Sequence, residues 1–192
     1  MEKLRLIVFS DYICPFCFIA KNLVDRLCKD FALDVEWKGF QIHPEVPPGG
    51  ISFDDLGLDN NRIQLAYLRA SELAGELGIK ISFPHRMSSS RLALEIGQFA
   101  MEKGKFQEFH DTVFRAYWLE GEEIGDEAFL LRIAQKAGLE PVEVSEYISS
   151  AKGEEYLEQT AFEAMEFGVG GIPTIFIGDT LKVEGIQPYE FL

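Results

Sequence analysis

Apolar positions change their spacing along the first fifty residues. Residues 4–9 form a short apolar run interrupted by Arg5, and we predict a buried strand over 3–9. Residues 16–31 place apolar side chains at helical spacing, and residues 33–42 alternate in part, so we expect a helix and a second strand. Two strands joined by a helix predict a right-handed β-α-β unit with parallel strands. The stretch 43–50 is rich in Pro and Gly and predicts a loop.

The pattern from residue 65 to residue 150 is helical throughout. Segments with helical apolar spacing, several of them ending at a glycine, cover 62–77, 89–103, 106–119, 126–137 and 141–149. A further helix is predicted over 154–167, followed by strands at 175–177 and 181–184 that can pair as a hairpin, and 187–192 would open a last helix. We therefore predict an α/β fold in which residues 1–50 and 151–192 form one domain. An all-helical domain of four or five helices, residues 51–150, is inserted into it.

Composition narrows the class of protein. The 192 residues with 47% hydrophobic content suit one domain with a large insertion. The formal net charge of −14 argues against nucleic acid and anionic membranes as partners. No apolar stretch approaches the length of a membrane span, and no secretory signal is visible, so we expect a cytoplasmic protein. Both a monomer and a homodimer remain open.

The segment Cys14-Pro15-Phe16-Cys17 is the strongest chemical signal in the chain. It lies between the first strand and the first helix, where a Cys-x-x-Cys motif indicates a redox-active dithiol. The spacing puts Cys14 at the start of the helix and Cys17 one turn inside, so that the sulfurs can form a disulfide. Pro15 suits the first helical position, and the helix dipole favours a thiolate at Cys14. We expect Cys14 to be the nucleophile and Cys17, deeper and poorly ionised, to be the resolving thiol.

The motif has two alternative interpretations. A zinc site would need two more ligands, and the remaining candidates are isolated from one another: Cys28, His43, His85 and His110. We therefore predict no metal site. A structural disulfide closing so short a loop would add little stability. The third cysteine, Cys28, falls next to the apolar stripe of the first helix and is expected to be buried and inert.

Two other parts of the chain, Asp11 and the Ile172-Pro173 dipeptide, lie where they could influence this motif. Asp11 immediately precedes the helix, where its carboxylate could cap N–H groups or act on Cys14. Ile172-Pro173 follows a Gly-rich turn and precedes a strand. Proline at a strand start removes one ladder donor and would leave neighbouring backbone groups free to pair with an incoming peptide. The sequence does not show whether the Ile172–Pro173 bond is cis or trans.

The order of elements and motifs resembles the thioredoxin fold, a central mixed β-sheet flanked by helices, with a large all-helical insertion. The chain is similar to the DSBA-like thioredoxin family and to its cytoplasmic FrnE-like branch, which is related to 2-hydroxychromene-2-carboxylate isomerases. The resemblance covers nearly the full length. It is carried by the segments 10–21, 37–44, 114–121, 124–126 and 168–174.

The resemblance implies a set of site residues. Cys14 and Cys17 match the family's redox pair, and Pro173 matches its cis proline, with Ile172 beside the attacking sulfur. The residues expected to contact substrate are Ile172, Pro173, Pro15 and Phe16. Relatives often carry Trp or His where this chain has Phe16. Because Phe cannot hydrogen-bond a thiolate, we expect Cys14 to be less acidic and the protein less oxidising than exported members.

Three functions compete at this stage. The first is a thiol–disulfide oxidoreductase or isomerase that acts on polypeptides, with no cofactor and with glutathione as a possible redox partner. The second is a glutathione-dependent transferase or isomerase of a small aromatic compound; such relatives usually carry Ser at the first cysteine, so Cys17 favours the first. The third is a redox-silent binding module, which predicts that replacing Cys14 and Cys17 by Ser leaves activity intact.

Overall fold

The two ends of the chain form a mixed sheet, and the middle of the chain forms a group of helices. The computed structural model describes residues 3–178 and 180–192. The sheet strands are β1 Leu4–Ser10, β2 Leu33–Gly39, β5 Thr174–Ile177 and β6 Leu181–Glu184, in the order β2-β1-β5-β6. The helices are α1 Pro15–Asp30, α2 Asn60–Glu76, α3 Arg91–Glu102, α4 Phe106–Arg115, α5 Glu127–Lys136, α6 Pro141–Ser149 and α7 Lys152–Glu166. A short pair, β3 Ile51–Ser52 and β4 Arg86–Met87, stands apart from the sheet.

The sheet confirms both predicted strand pairings, the parallel pair β1–β2 and the hairpin β5–β6. β1 runs parallel to β2 and antiparallel to β5, so that Val8 lies opposite Trp37 on one side and Ile175 on the other. β5 and β6 form the predicted antiparallel hairpin. α1 is the connection between the parallel strands β1 and β2. β1 ends at Ser10 and α1 begins at Pro15, so the first turn of the helix lies just beyond the end of β1. The predicted thioredoxin fold with a helical insertion is confirmed.

The insertion shares its core with α1. Five helices, α2 to α6, lie within residues 51–150, all of which the structure describes. Buried side chains of these helices form one apolar cluster with Ile13, which precedes α1, and with Phe18, Ile19 and Leu23 of α1. Cys14 and Cys17 belong to the same cluster, so the Cys-x-x-Cys motif packs against the inserted helices.

The segment 51–150 is not wholly helical, which differs from the prediction. β3 and β4 pair antiparallel, with Ile51 opposite Met87. Gly50 has a φ of +69°, and a Cβ there would lie 2.7 Å from the carbonyl oxygen of Met87. Only glycine lets the backbones approach this closely. Strands of two residues carry too little periodicity to be recognised in a sequence.

The helix predicted over 106–119 divides into two parts. α4 ends at Arg115 and continues as a π-helical turn, Ala116–Glu120, which stops at Gly121 with a φ of +73°. Trp118 in this turn donates its indole N–H to the carbonyl of Tyr12 at 2.8 Å, and its own carbonyl accepts from the Ser82 N–H at 2.7 Å. The π turn thus ties the insertion to the segment just ahead of Cys14.

The prediction that Cys28 is buried is wrong. Cys28 is exposed, and so are the neighbouring residues Lys29 to Ala32. In the last turn of α1 the buried face ends at Leu27, which is 4% exposed, and Cys28 lies outside that face. At the C-terminus the predicted helix is a short 3₁₀ turn, Tyr189–Phe191. No helix among the described residues is long and apolar enough to cross a membrane.

Candidate active site

Both thiols of the Cys-x-x-Cys motif lie in the first turn of α1. Cys14 is the N-cap residue, Pro15 is at the first helical position, and the N–H groups of Cys17 and Phe18 donate to the Cys14 carbonyl at 3.1 and 3.2 Å. Cys14 is 6% exposed and Cys17 is 0% exposed. Cys14 is therefore the thiol nearer to solvent, and Cys17 lies beneath it.

The surroundings of Cys17 favour its protonated form. Burial raises the pKa of the Cys17 thiol well above its ordinary value, and the hydrogen bond with Cys14 raises it further. The Asp11 N–H and the Ser10 hydroxyl act in the opposite direction and lower the pKa of the thiol. Cys17 can therefore attack only when its proton is removed, which suits a thiol that reacts second.

The Gly-rich turn before β5 brings Ile172 and Pro173 to Cys14. The Ile172–Pro173 peptide bond is cis, and the Cys14 sulfur lies 3.8 Å from the Ile172 carbonyl oxygen, across 158 positions of sequence. Pro173 is buried and Ile172 is half-buried. The Thr174 hydroxyl donates to the Gly171 carbonyl at 2.6 Å and holds this turn. Pro15 and Phe16 are half-buried at the start of α1. The six predicted site residues therefore fall on two segments, 14–17 and 172–173, which meet where the Cys14 sulfur approaches the Ile172 carbonyl oxygen.

Asp11 does not cap α1. Its side chain is fully buried and accepts hydrogen bonds from the N–H of Ile13 at 3.3 Å, the N–H of Ile42 at 2.8 Å and the hydroxyl of Ser90 at 3.0 Å. Burial raises the pKa of Asp11 to about 6, against the lowering effect of these donors and of His43. Asp11 thereby joins the active-site turn to the loop after β2 and to the start of α3.

The sequence did not assign a role near the active-site turn to two buried polar residues. Ser10 ends β1 with its hydroxyl buried beside Cys17, and His110, considered only as a zinc ligand, is buried against the ring of Tyr12. A serine at a strand end and a histidine on an apolar helix face are ordinary in a sequence. Only the spacing of His110 on the inward face of α4 could have indicated its position. The described residues contain no group of three or more His, Cys, Asp or Glu side chains arranged to hold a metal ion.

Comparison with known proteins identifies the family. Residues 5–192 match the DSBA-like thioredoxin domain. The chain belongs to the DSBA-like thioredoxin domain family. An uncharacterised protein of Bacillus subtilis, YwbO, is 30% identical over 177 residues, which cover 91% of this chain and 86% of that protein. This family includes both oxidoreductases and isomerases, and assignment to its FrnE-like branch stays a prediction.

Two more distant relatives represent those two activities. A 2-hydroxychromene-2-carboxylate isomerase of Pseudomonas putida is 23% identical over 177 residues, covering 90% of this chain and 85% of the isomerase. The crystal structure of a probable DsbA oxidoreductase of Streptomyces coelicolor superposes with a TM-score of 0.85 at 20% identity, covering 98% of this chain and 86% of that chain. At this level of identity the second likeness shows the fold alone.

Proposed function

We propose that this protein is a thiol–disulfide oxidoreductase that exchanges disulfides with polypeptides through Cys14 and Cys17. The observation that carries the proposal is the arrangement of three parts: Cys14 at the helix start, the fully buried Cys17 one turn further on, and the Ile172–Pro173 turn, whose Ile172 carbonyl oxygen lies 3.8 Å from the Cys14 sulfur. A binding module or a single-thiol enzyme has no need of the second, buried sulfur.

The proposed exchange has two steps. The Cys14 thiolate attacks a substrate disulfide, which forms a mixed disulfide and releases one substrate thiolate. Cys17 then loses its proton and attacks the Cys14 sulfur, which closes the Cys14–Cys17 disulfide and releases the second substrate thiol. The protein is oxidised by two electrons and the substrate is reduced by two, and the reverse sequence oxidises a substrate dithiol.

Substrate and location follow from the surroundings of the site. Phe16 follows Cys14 by two residues, and the Ile172 carbonyl oxygen lies 3.8 Å from the Cys14 sulfur; the half-buried side chains of both residues offer apolar contact to a polypeptide. Glutathione is the proposed redox partner because it is the common thiol buffer of the cytosol. An exposed, unpaired Cys28 fits a cytoplasmic location, where thiols are kept reduced.

Equilibration of the purified protein in glutathione buffers, followed by trapping of free thiols, tests the proposal. We expect a Cys14–Cys17 disulfide whose reduction potential is below that of DsbA, about −120 mV, because Phe16 offers no hydrogen bond to a thiolate. Cys14→Ser and Cys17→Ser should each abolish the two-electron couple. Cys28→Ser is the matched control and should leave the couple unchanged. A wild-type protein that forms no Cys14–Cys17 disulfide at any poise would contradict the proposal.

The similarity to an isomerase supports a second candidate, a glutathione-dependent isomerase or transferase of a small aromatic compound. Such a reaction uses the sulfur of glutathione and needs no resolving thiol. Cys17→Ser therefore separates the two functions, because it stops disulfide exchange but would leave the isomerase activity in place. The measurement is glutathione-dependent conversion of 2-hydroxychromene-2-carboxylate by wild type and Cys17→Ser.

A further inference from the structure

A small cavity lies between the sheet and the helices α3 and α4. Its volume is about 20 Å³, which is room for one water molecule. A Cβ on Gly97 of α3 would come within 3.0 Å of the Tyr12 hydroxyl, so glycine at this position keeps the space open. The lining residues used below are Ser10, Tyr12, Gly97, Gln98 and His110.

Two polar atoms of the lining residues are left without a partner. The Ser10 hydroxyl oxygen and the His110 Nε2 are buried, and neither makes a hydrogen bond of standard geometry to any described residue. Buried polar atoms in folded proteins are nearly always hydrogen-bonded to protein or to ordered water. Since both residues line a cavity of this size, a water molecule there is the natural partner of both atoms.

The imidazole of His110 is held in one place and kept neutral. Its ring packs against Trp37, Phe106 and Phe114 with centroid distances of 4.5, 4.6 and 4.9 Å, and its Nδ1 lies 3.1 Å from the Tyr12 hydroxyl. Burial lowers the pKa of His110 well below its ordinary value, and the charge of Lys21 lowers it further. A neutral ring leaves Nε2 able to hold a water molecule as donor or as acceptor.

Ser10 connects the cavity to the buried thiol. The Ser10 side chain acts to lower the pKa of the Cys17 thiol, and Ser10 also belongs to the cavity lining. Cys17 is 0% exposed, so its proton must leave through the protein. The neighbouring carboxylate of Asp11 is directed elsewhere, because its oxygens accept from Ile13, Ile42 and Ser90.

We propose that Ser10 and a water molecule held by His110 carry the proton of Cys17 out of the protein when Cys17 resolves the mixed disulfide. This inference rests on the proposed function. Ser10 accepts the thiol proton as its own proton passes to the water, and one proton leaves past the half-buried Gln98. The Cys17 thiolate then forms the bond to Cys14, and the Cys14–substrate bond breaks. His110 is a positioning residue, since it touches the water and not the sulfur.

A single-turnover reaction with an aromatic disulfide that releases a coloured thiolate tests the proposal. In a Cys28→Ser background the first release reports attack by Cys14, and the second reports attack by Cys17 on the mixed disulfide. We expect Ser10→Ala and His110→Phe to slow the second release by about tenfold to a hundredfold and to leave the first unchanged. The solvent deuterium isotope effect on the second release should fall in both variants, which a merely structural role would not produce.

Conservative variants and a matched control complete the experiment. Ser10→Thr keeps the hydroxyl and His110→Gln keeps a polar group, so both should restore most of the rate. Ser88→Ala removes a buried hydroxyl that lies beside Tyr117 and should leave both releases unchanged. If circular dichroism shows that His110→Phe does not fold, Ser10→Ala decides the question.

Three results are informative in different ways. A wild-type rate of the second release in Ser10→Ala would overturn the relay. Selective slowing in Asp11→Asn, with Ser10→Ala unaffected, would make the Asp11 carboxylate the proton acceptor and also overturn it. A wild-type protein without any second release would instead contradict the proposed function, because Cys17 would then not resolve the mixed disulfide.

Discussion

Asp11 and Lys21 both join the thioredoxin part of the chain to the inserted helices, but by different physical means. Asp11 is fully buried, and the hydrogen bonds that it accepts come from neutral donors, including Ser90 at the start of α3. Lys21 of α1 lies 2.7 Å from Asp25 and 2.5 Å from Asp111 of α4, with those carboxylate side chains 34% and 44% exposed. The Asp11 carboxyl group is therefore buried and has no oppositely charged group within hydrogen-bond distance among the described residues. The Lys21 ammonium group is a cation shared by two partly solvated carboxylates.

The two contacts should therefore differ in energy and in their response to pH and salt. Burial opposes ionisation of Asp11 and raises its pKa to about 6. For Lys21, burial acts to lower the pKa, but Asp111 and Asp25 outweigh it and raise the pKa above its ordinary value. Removing a buried group lowers the free energy of unfolding most when its hydrogen-bond partners are left unpaired. Partly solvated ion pairs contribute little to the free energy of unfolding.

The largest effect is expected for Asp11→Ala. The substitution leaves the Ile42 N–H, the Ile13 N–H and the Ser90 hydroxyl without an acceptor, which should lower the free energy of unfolding by about 3 kcal/mol near pH 5. Urea denaturation of wild type and variant measures this difference. The exposed Asp34→Ala is the control and should change stability by less than about 0.5 kcal/mol. Equal losses in the two variants would show that Asp11 does not hold the two parts together.

The cost of Asp11→Ala should shrink as pH rises. The folded-state pKa of about 6 lies above the ordinary value of 3.8, so between these values the folded protein binds more protons than the unfolded chain. The stabilisation by Asp11 is therefore complete at low pH and is lost as pH rises through about 6. Between about pH 5 and pH 8 the difference between wild type and Asp11→Ala should fall by about 1.4 kcal/mol. A difference that grows with pH would mean that the carboxylate, not the acid, is the stabilised form.

The fold was largely predictable from sequence because its signals are local. Alternating and helical spacing, with Gly78, Gly104 and Gly138 after helices, marked most elements to within a few residues. The β3–β4 pair and the π turn at Ala116–Glu120 were not predicted. The first is too short to carry a period, and the second depends on Trp118 reaching the carbonyl of Tyr12.

The site was predictable only where a motif marks it. Cys14, Cys17 and Pro173 belong to recognisable local patterns, and the structure brings their segments together. Asp11 was expected either to cap N–H groups or to act on Cys14. Its hydrogen bond with Ser90 was not predicted, because Ser90 lies 79 positions away and leaves no trace in the local sequence. The same holds for His110, whose neighbours Tyr12 and Trp37 come from other elements.

The smallest effect is expected for Lys21→Met, and it completes the contrast with Asp11. The Lys21 side chain is only 11% exposed, and Met keeps most of its aliphatic packing. The decrease in the free energy of unfolding therefore measures the two ion pairs and should be about 1 kcal/mol. Because the pKa of Lys21 is raised, its contribution is present below about pH 10 and should stay constant between about pH 5 and pH 8. Added salt should reduce the loss on Lys21→Met, since Asp25 and Asp111 are partly solvated, and should leave that on Asp11→Ala unchanged. Urea denaturation at low and high salt measures the stability loss in both variants. A salt-dependent loss of stability in Asp11→Ala would show that solvent reaches the Asp11 carboxylate and that the two contacts are alike.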